Sequence, residues 1–201
     1  MNKLDTIAAI ATAHGHSGVG IIRVSGTNVL NLINHFFIKK LKPRLATNRK
    51  IKDKDGDIID DVIAIYYQAP KSYTGEEMLE IQTHGNPVIL ETILNEIVPG
   101  HARFAKPGEF TERAFLNNKI DLTQAEAVAD LIFSSNTIAA KAACASLQGK
   151  FSTKTTELIN NLISLRAEIE AAIDFPEDEI PKKSKAIINN QLGRLISDTE
   201  D

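Results

Sequence analysis

The segment from Lys106 to Asp130 divides the chain into two parts of different character. It opens with Pro107-Gly108, a turn that begins or ends an element of secondary structure. Further along, Thr123 and Glu126 have the spacing of a capping box, which predicts that a helix starts there. Strand and helix patterns alternate before this segment, whereas helix patterns alone follow it. The segment is therefore the predicted joint between two regions.

The region before the joint contains short apolar runs bounded by turn residues, as buried strands do. Two runs with apolar residues at three- and four-residue spacing predict helices instead. The sequence therefore predicts an α+β domain over residues 1–118. Its predicted strands cover 5–12, 19–25, 62–68, 78–83 and 102–105, and its predicted helices cover 29–37 and 87–97.

The region after the joint, residues 119–201, shows no strand pattern and predicts an all-α domain. One helix is predicted over 122–135, and a very long one over 137–175 with a break or bend near Gly149. Prolines at both ends of 176–181 predict that this helix stops there. The final residues carry no stop signal, so we expect the chain to be a fragment cut inside a helical region.

Composition predicts an ordinary cytoplasmic protein. The net charge of -3 gives no general attraction to polyanions, so such a partner would have to meet a local patch. Cys144 is the single cysteine, which rules out an intrachain disulfide framework and favours a reducing compartment. No apolar stretch approaches the roughly 20 residues that a membrane-spanning helix needs.

Two charged residues stand in otherwise apolar strands. Arg23 lies in the second predicted strand, and Glu80 lies between Leu79 and Ile81. Because residues alternate between the faces of a strand, Glu80 shares a face with His84. Buried charges need partners, so the pattern predicts either a structural Arg23–Glu80 ion pair or a ligand site.

The histidines do not predict a catalytic or metal site. His84 either lines a pocket with Glu80 or is a satisfied turn residue. His14 and His16 lie two apart in a loop without a third ligand at metal spacing. No carboxylate or histidine is placed as an obvious general base. We therefore predict no catalytic residue and no metal ligand.

Five motifs follow one another along the chain: DTIAAIAT, GVGIIRVSG, SYTGE, LEIQTHGNP and AKPGEFTERAFLNNKIDLTQAEAVADLI. Taken in order, they resemble those of one family, the tRNA modification GTPases called MnmE or TrmE. The resemblance covers roughly Asp5 to Ile132, and residues 170–180 (EAAIDFPEDEI) resemble the helical region of that family.

The resemblance implies a fold and a function. It implies an N-terminal domain with the folate-binding fold of aminomethyltransferases, which forms a homodimer, followed by a helical domain that holds a GTPase domain. It also implies an enzyme that works with a flavin-dependent partner of the MnmG or GidA family. Their product is a 5-carboxymethylaminomethyl-type modification of the tRNA wobble uridine. The one-carbon donor would be 5-formyl- or 5,10-methylene-tetrahydrofolate.

The resemblance also assigns a cofactor site to Arg23, Glu80 and Lys119. We expect Glu80 to accept hydrogen bonds from the pterin edge, and Arg23 and Lys119 to offer charge to anionic groups of the folate or to orient Glu80. The hydroxyl groups of residues 72–74 would line the pocket or form a turn.

Some residues depart from the family pattern. Residues 13–16 (AHGH) stand where Pro-Pro-Gly-Arg is usual, and Asn86 stands where a second glycine is common. No G-x-x-x-x-G-K-[ST] phosphate loop occurs, so this chain should not hydrolyse GTP. GTP, magnesium and potassium are implied only for the GTPase domain that is missing from it.

The basic run over residues 39–54 has two interpretations. It can contact tRNA phosphates, or its lysines can protect the exposed edge of a sheet. Two other functions also remain open for the whole chain. One is a free-standing folate-dependent aminomethyl or one-carbon transferase, and the other is a non-catalytic dimerising scaffold.

Overall fold

The computed structural model of the chain describes residues 5–37, 40–174 and 185–200. Its residues divide into two compact units, Met1–Ile120 and Asp121–Asp201. The first unit combines a mixed sheet with helices, and the second contains helices. The predicted fold class, α+β followed by all-α, is confirmed.

The α/β unit is built on a six-stranded sheet with strand order β3-β4-β5-β2-β1-β6. All neighbouring pairs are antiparallel except β1 and β6, which are parallel. The elements are β1 (Ile7–Ile10), β2 (Ser17–Ser25), α1 (Val29–Phe36), β3 (Thr47–Lys52), β4 (Ile58–Tyr67), β5 (Met78–Gly85), α2 (Pro87–His101), β6 (Arg103–Phe104) and α3 (Glu109–Leu116).

One face of the sheet forms the hydrophobic core together with α1 and α2. Alternation along β4 shows how the faces separate, because Val62, Ala64 and Tyr66 are buried while Ile63 between them is exposed. Burial of such apolar surface stabilises the fold by about 25 cal/mol per Å². The opposite face carries residues 23 and 80, so the core leaves one side of the sheet available for a site.

Helix α2 begins and ends where its sequence predicts. The Asn86 side chain accepts a hydrogen bond from the amide of Val88, and Pro87 occupies the first turn, where its missing N–H costs nothing. Near the other end, Pro99 and Gly100 have non-helical dihedral angles, which interrupt the helix before His101.

The helical unit contains four helices among its described residues. The predicted long helix is broken at Gln148 and Gly149, where φ of Gly149 is +82°. The part of the chain predicted to stop the second half, residues 176–181, lies outside the described residues. The helices are α4 (Leu122–Phe133), α5 (Thr137–Leu147), α6 (Lys150–Asp174) and α7 (Lys185–Glu200).

The start of α4 corrects one sequence prediction. The cap is Asp121, not Thr123: its carboxylate accepts from the amide of Gln124, and the Gln124 side chain accepts from the amide of Asp121. The capping box therefore begins two residues earlier than predicted, because an aspartate caps a helix at least as well as a threonine. None of the described helices is both long and apolar enough to span a membrane.

Candidate functional site

Arg23 and Glu80 lie opposite each other on the two neighbouring strands β2 and β5. The Arg23 Nε donates to Glu80 Oε1 at 2.9 Å, and Nη2 lies 2.8 Å from the same oxygen. Their side chains are 28% and 12% exposed, so the pair is shielded from bulk water without being sealed. The structure therefore contains the ion pair that the sequence predicted as one of its two interpretations.

Tyr67 holds the other oxygen of the Glu80 carboxylate. It lies at the end of β4, and its hydroxyl donates to Oε2 at 3.2 Å. Burial, followed by the Glu80 charge, raises the pKa of Tyr67, so its hydroxyl stays protonated and can donate. Sequence analysis did not identify this residue. The alternation of residues 62–68 contained the signal, but the face that Tyr67 occupies depends on strand pairing.

Two aromatic rings flank the guanidinium of Arg23. Its Cζ lies 5.3 Å from the ring centre of Tyr73 and 5.7 Å from that of Phe110, both within the range of a cation–π interaction. The Tyr73 hydroxyl is hydrogen-bonded to Thr111 Oγ1 at 2.9 Å, which joins the loop after β4 to α3. Flat aromatic surfaces therefore stand next to the charged pair.

Lys119, the third predicted residue, is held by the main chain of the loop after β4. Its Nζ donates to the carbonyl of Pro70 at 3.0 Å, and Asn117 Nδ2 donates to the carbonyl of Thr74 at 2.7 Å. Gly75 makes this approach possible, because its φ is +79° and an added Cβ would lie 3.2 Å from the Lys119 side chain. The structure thus pairs Arg23 with Glu80 but places Lys119 against this loop.

A second group of charges, here called the anchor cluster, joins α3 to the start of β1 and to the loop after β4. Arg113 is its centre, with a side chain only 2% exposed. Its Nη2 donates to Asp5 at 2.8 Å and to Glu109 at 3.1 Å, and its Nη1 lies 3.2 Å from Glu76. The members of the anchor cluster are Asp5, Glu76, Arg103, Glu109 and Arg113.

Glu109 is the most strongly perturbed carboxyl group of the anchor cluster. Arg103 donates two hydrogen bonds to its carboxylate, of 2.9 and 2.5 Å, and the amide of Lys106 donates a third at 2.8 Å. The hydrogen bonds of Arg103 are the largest influence, and against the cost of burial they lower the pKa of Glu109 to about 2. The carboxylate is therefore charged at any pH at which the protein works.

The anchor cluster connects to the candidate site through Glu76. Ser25 Oγ, at the end of β2, donates to Glu76 Oε2 at 2.7 Å and lies 2.6 Å from Thr74 Oγ1. Ser25 and Thr74 are fully buried. The loop that carries Tyr73 is thus fixed at the residues that follow Tyr73, which keeps the ring beside Arg23.

His84 is bound away from the Arg23–Glu80 pair. Its Nδ1 lies 2.7 Å from Asp60 Oδ1 and its amide donates to Asp60 Oδ2 at 2.9 Å, while 70% of its side chain is exposed. Burial works to raise the pKa of Asp60, yet the hydrogen bonds from Thr83 and His84 keep it below its ordinary value. This is the satisfied histidine that the sequence allowed. Among the described residues, no group of three or more potential ligands could hold a metal ion.

The described part of the basic run forms an edge of the sheet. β3 is the first strand in the order, and Lys50 and Lys52 on it are exposed. Lysines at this position hinder pairing with another strand, as one of the two interpretations predicts. Contact with tRNA phosphates remains the other prediction.

Comparison with known proteins identifies the family of both regions. Residues 6–119 match the family model described as GTP-binding protein TrmE N-terminus, and residues 122–201 match the MnmE helical domain. Together these two models account for nearly the whole chain.

Similar curated proteins carry one name, tRNA modification GTPase MnmE. The protein of Saccharophagus degradans is 52% identical over 196 residues, which are 98% of this chain and 43% of that protein. Those of Francisella tularensis subsp. novicida and subsp. holarctica (strain LVS) are 56% identical over 180 residues, which are 90% of this chain and 40% of each relative. The chain thus spans less than half the length of these relatives. On these matches, it belongs to the MnmE (TrmE) family and comprises the N-terminal and helical regions of that family.

Proposed function

We propose that the α/β unit binds a tetrahydrofolate one-carbon donor at Arg23, Glu80 and Lys119. The observation that carries this proposal is the Arg23–Glu80 pair, which is set on paired strands and flanked by the rings of Tyr73 and Phe110. The pair is partly exposed, and the two rings offer flat surfaces beside it.

The groups present fit the chemistry of a reduced folate. A pterin edge offers adjacent N–H donors, whose hydrogen bonds the fixed carboxyl group of Glu80 can accept. The rings of Tyr73 and Phe110 offer flat surfaces to a flat heterocycle. Lys119 brings positive charge for anionic groups, and Arg23 orients the Glu80 carboxylate. Bound folate would supply the one-carbon unit, while these residues bind and orient it.

Calorimetric titration of this chain with 5-formyltetrahydrofolate tests the proposal. Glu80→Ala should abolish binding while the circular dichroism spectrum stays unchanged, because the ligand loses its main acceptor. Glu112→Ala is the matched control, since Glu112 is an exposed carboxylate on α3. Equal folate affinity in wild type and Glu80→Ala would refute the assignment, whether both proteins bind the ligand tightly or weakly.

The wider proposal places this chain in a larger cytoplasmic enzyme. In it, the folate-binding unit supports 5-carboxymethylaminomethyl-type modification of the tRNA wobble uridine, together with a flavin-dependent partner of the MnmG family and a GTPase domain outside this chain. The names of the relatives support tRNA modification and GTP hydrolysis for the full-length protein. The test uses cells that lack the protein. A longer form of the protein that includes a phosphate-binding loop should restore the modification, and the same form carrying Glu80→Ala should not.

We further propose that the α/β unit forms a homodimer. Ile63 supports this, because it is 41% exposed on β4 and lies opposite Gln82, on the sheet face that is not covered by α1 and α2. Sedimentation equilibrium of the chain should give twice the mass of one copy, and Ile63→Lys should shift it to the monomer. A wild-type monomer at micromolar concentration would contradict the proposal.

The basic edge strand is proposed to add tRNA affinity through phosphate contacts. Lys50→Glu with Lys52→Glu should weaken tRNA binding and reduce its dependence on salt, because each neutralised phosphate contributes to that dependence. Unchanged tRNA affinity at low salt would contradict this proposal, and protection of the exposed sheet edge would then be the only role of these lysines.

A further inference from the structure

We propose that Arg44 is a second cation for the anionic tail of the ligand bound at Glu80, acting beside Lys119. This inference rests on the folate-binding function proposed above and adds to it a residue that the family motifs did not assign. Arg44 lies between α1 and β3, in a part of the basic run that sequence analysis treated only as a nucleic-acid or edge feature.

The backbone of Arg44 has an unusual conformation. Its φ is +60°, a left-handed value that residues other than glycine, asparagine and aspartate seldom adopt. Its amide donates to the carbonyl of Tyr66 at 2.7 Å, which ties it to the end of β4. Residues in such conformations cluster at active sites, ligand clamps and switch regions, where surrounding contacts hold them in place.

The side chain of Arg44 points back to the site through Tyr67. Its Cζ lies 5.7 Å from the ring centre of Tyr67, and the hydroxyl of that ring donates to Glu80. Tyr67 therefore contacts both the guanidinium of Arg44 and the carboxylate of Glu80. Arg23 donates to the other oxygen of the same carboxylate.

Arg44 and Lys119 are held by the same turn. Arg44 Nη2 donates to the carbonyl of Lys71 at 2.8 Å, and Lys119 Nζ donates to the carbonyl of the preceding residue, Pro70, at 3.0 Å. Both partners are neutral carbonyl groups, so both positive charges remain uncompensated. Within the described ranges, neither cation has a carboxylate at ion-pair distance.

The chemistry of a folate tail matches this arrangement. A terminal glutamate carries two carboxylates, and each of them favours a cation that has no carboxylate partner of its own. Arg23 is neutralised by Glu80, which leaves Lys119 for one carboxylate and Arg44 for the other. A guanidinium also binds a carboxylate through two parallel hydrogen bonds, which a lysine cannot do.

The test compares two ligands by calorimetric titration of the full 201-residue chain. The first is 5-formyltetrahydrofolate, and the second is 6-methyltetrahydropterin, which has the pterin edge but no glutamate. The variant is Arg44→Asn, since asparagine removes the charge and tolerates a positive φ. The control is Lys42→Gln, which removes one positive charge from an exposed position in the same segment.

The proposal expects Arg44→Asn to weaken 5-formyltetrahydrofolate binding about tenfold, the value of one charge-assisted contact, and to change 6-methyltetrahydropterin binding less than about twofold. Lys42→Gln should change neither. Folate affinity within about twofold of wild type would overturn the role of Arg44 and leave the site at Glu80 intact. Equal weakening of both ligands would also overturn it, because Arg44 would then act through Tyr67. A wild type that binds neither ligand would refute the folate site itself.

Discussion

The α/β unit contains two arginine–glutamate systems that differ in what surrounds them. Arg113 in the anchor cluster is 2% exposed and contacts three carboxylates, as well as the carbonyl of Asp5 at 2.7 Å. Arg23 is 28% exposed, contacts the single carboxylate of Glu80 and faces two aromatic rings. The first arginine is enclosed by its partners, whereas the second has one side open.

This difference separates stability from binding. Because the Arg113 side chain is 2% exposed and enclosed by three carboxylates, a ligand cannot reach it, so the anchor cluster fastens α3 and the loop after β4. A partly exposed pair has fewer bonds to lose and can add new ones when a ligand arrives. We therefore expect changes in the anchor cluster to alter folding, and changes around Arg23 to alter binding.

The largest effect is expected for Arg113→Met. It leaves Glu76 without its ion-pair partner and weakens the hold on Glu109, so the free energy of unfolding should fall by about 3–5 kcal/mol. Urea unfolding followed by tyrosine fluorescence reports the right region, because the three tyrosines of the chain, residues 66, 67 and 73, all lie in the α/β unit. Arg23→Met is the matched control, with an expected loss of about 1 kcal/mol. Equal losses in the two variants would contradict the distinction between the systems.

The second largest loss of stability is expected when acid protonates the carboxylates of the anchor cluster. The pKa of Glu109 is about 2 in the folded protein, against 4.5 for a free glutamate, so the unfolded chain binds the proton more readily. The stability from this group is complete above about pH 4.5 and is lost as the pH falls towards 2, by about 3 kcal/mol in total. The pKa of Asp5, lowered mainly by its hydrogen bond with Arg103, acts in the same direction.

Unfolding of wild type and Glu109→Gln across pH 2–6 measures this contribution. The variant should be less stable than wild type at pH 6, and the difference should shrink as the pH falls. A constant difference would show that the charge of Glu109 does not matter to the fold.

Sequence analysis predicted most of the sheet because its strands follow simple patterns. The apolar runs at β1 and β2 and the alternation of Leu79, Glu80 and Ile81 each fix a local structure. Arg23 lies directly opposite Glu80 because of the register between β2 and β5. The two residues are 57 positions apart in the sequence, so no local pattern encodes this register.

The rest of the site was not predictable for a related reason. Tyr67 and Phe110 approach the ion pair from β4 and α3, so their proximity exists only in the folded chain. The positive φ of Arg44 leaves no trace in composition or periodicity. The anchor cluster likewise joins residues 5 and 113, which only folding brings together.

A smaller effect on stability is expected when both members of the Arg23–Glu80 pair are replaced. Arg23→Met with Glu80→Gln removes both charges and keeps an acceptor for Tyr67, so the free energy of unfolding should change by no more than about 1 kcal/mol. Binding of 5-formyltetrahydrofolate should disappear in the same variant. A loss of stability comparable to that of Arg113→Met would show that the pair serves the fold.

The smallest effect on stability is expected for Tyr67→Phe, and its neighbour provides the control. Tyr67 faces the site, whereas Tyr66 is buried in the core and donates to Glu77. Losing the Tyr67 hydroxyl should cost less than about 1 kcal/mol, because water can reach the freed oxygen of Glu80, but folate affinity should fall about three- to tenfold as the carboxylate becomes less fixed. Tyr66→Phe should show the reverse pattern, with a larger loss of stability and unchanged affinity. If Tyr66→Phe weakened folate binding as much as Tyr67→Phe does, the two faces of the sheet would not be independent, and the separation of folding from binding would fail.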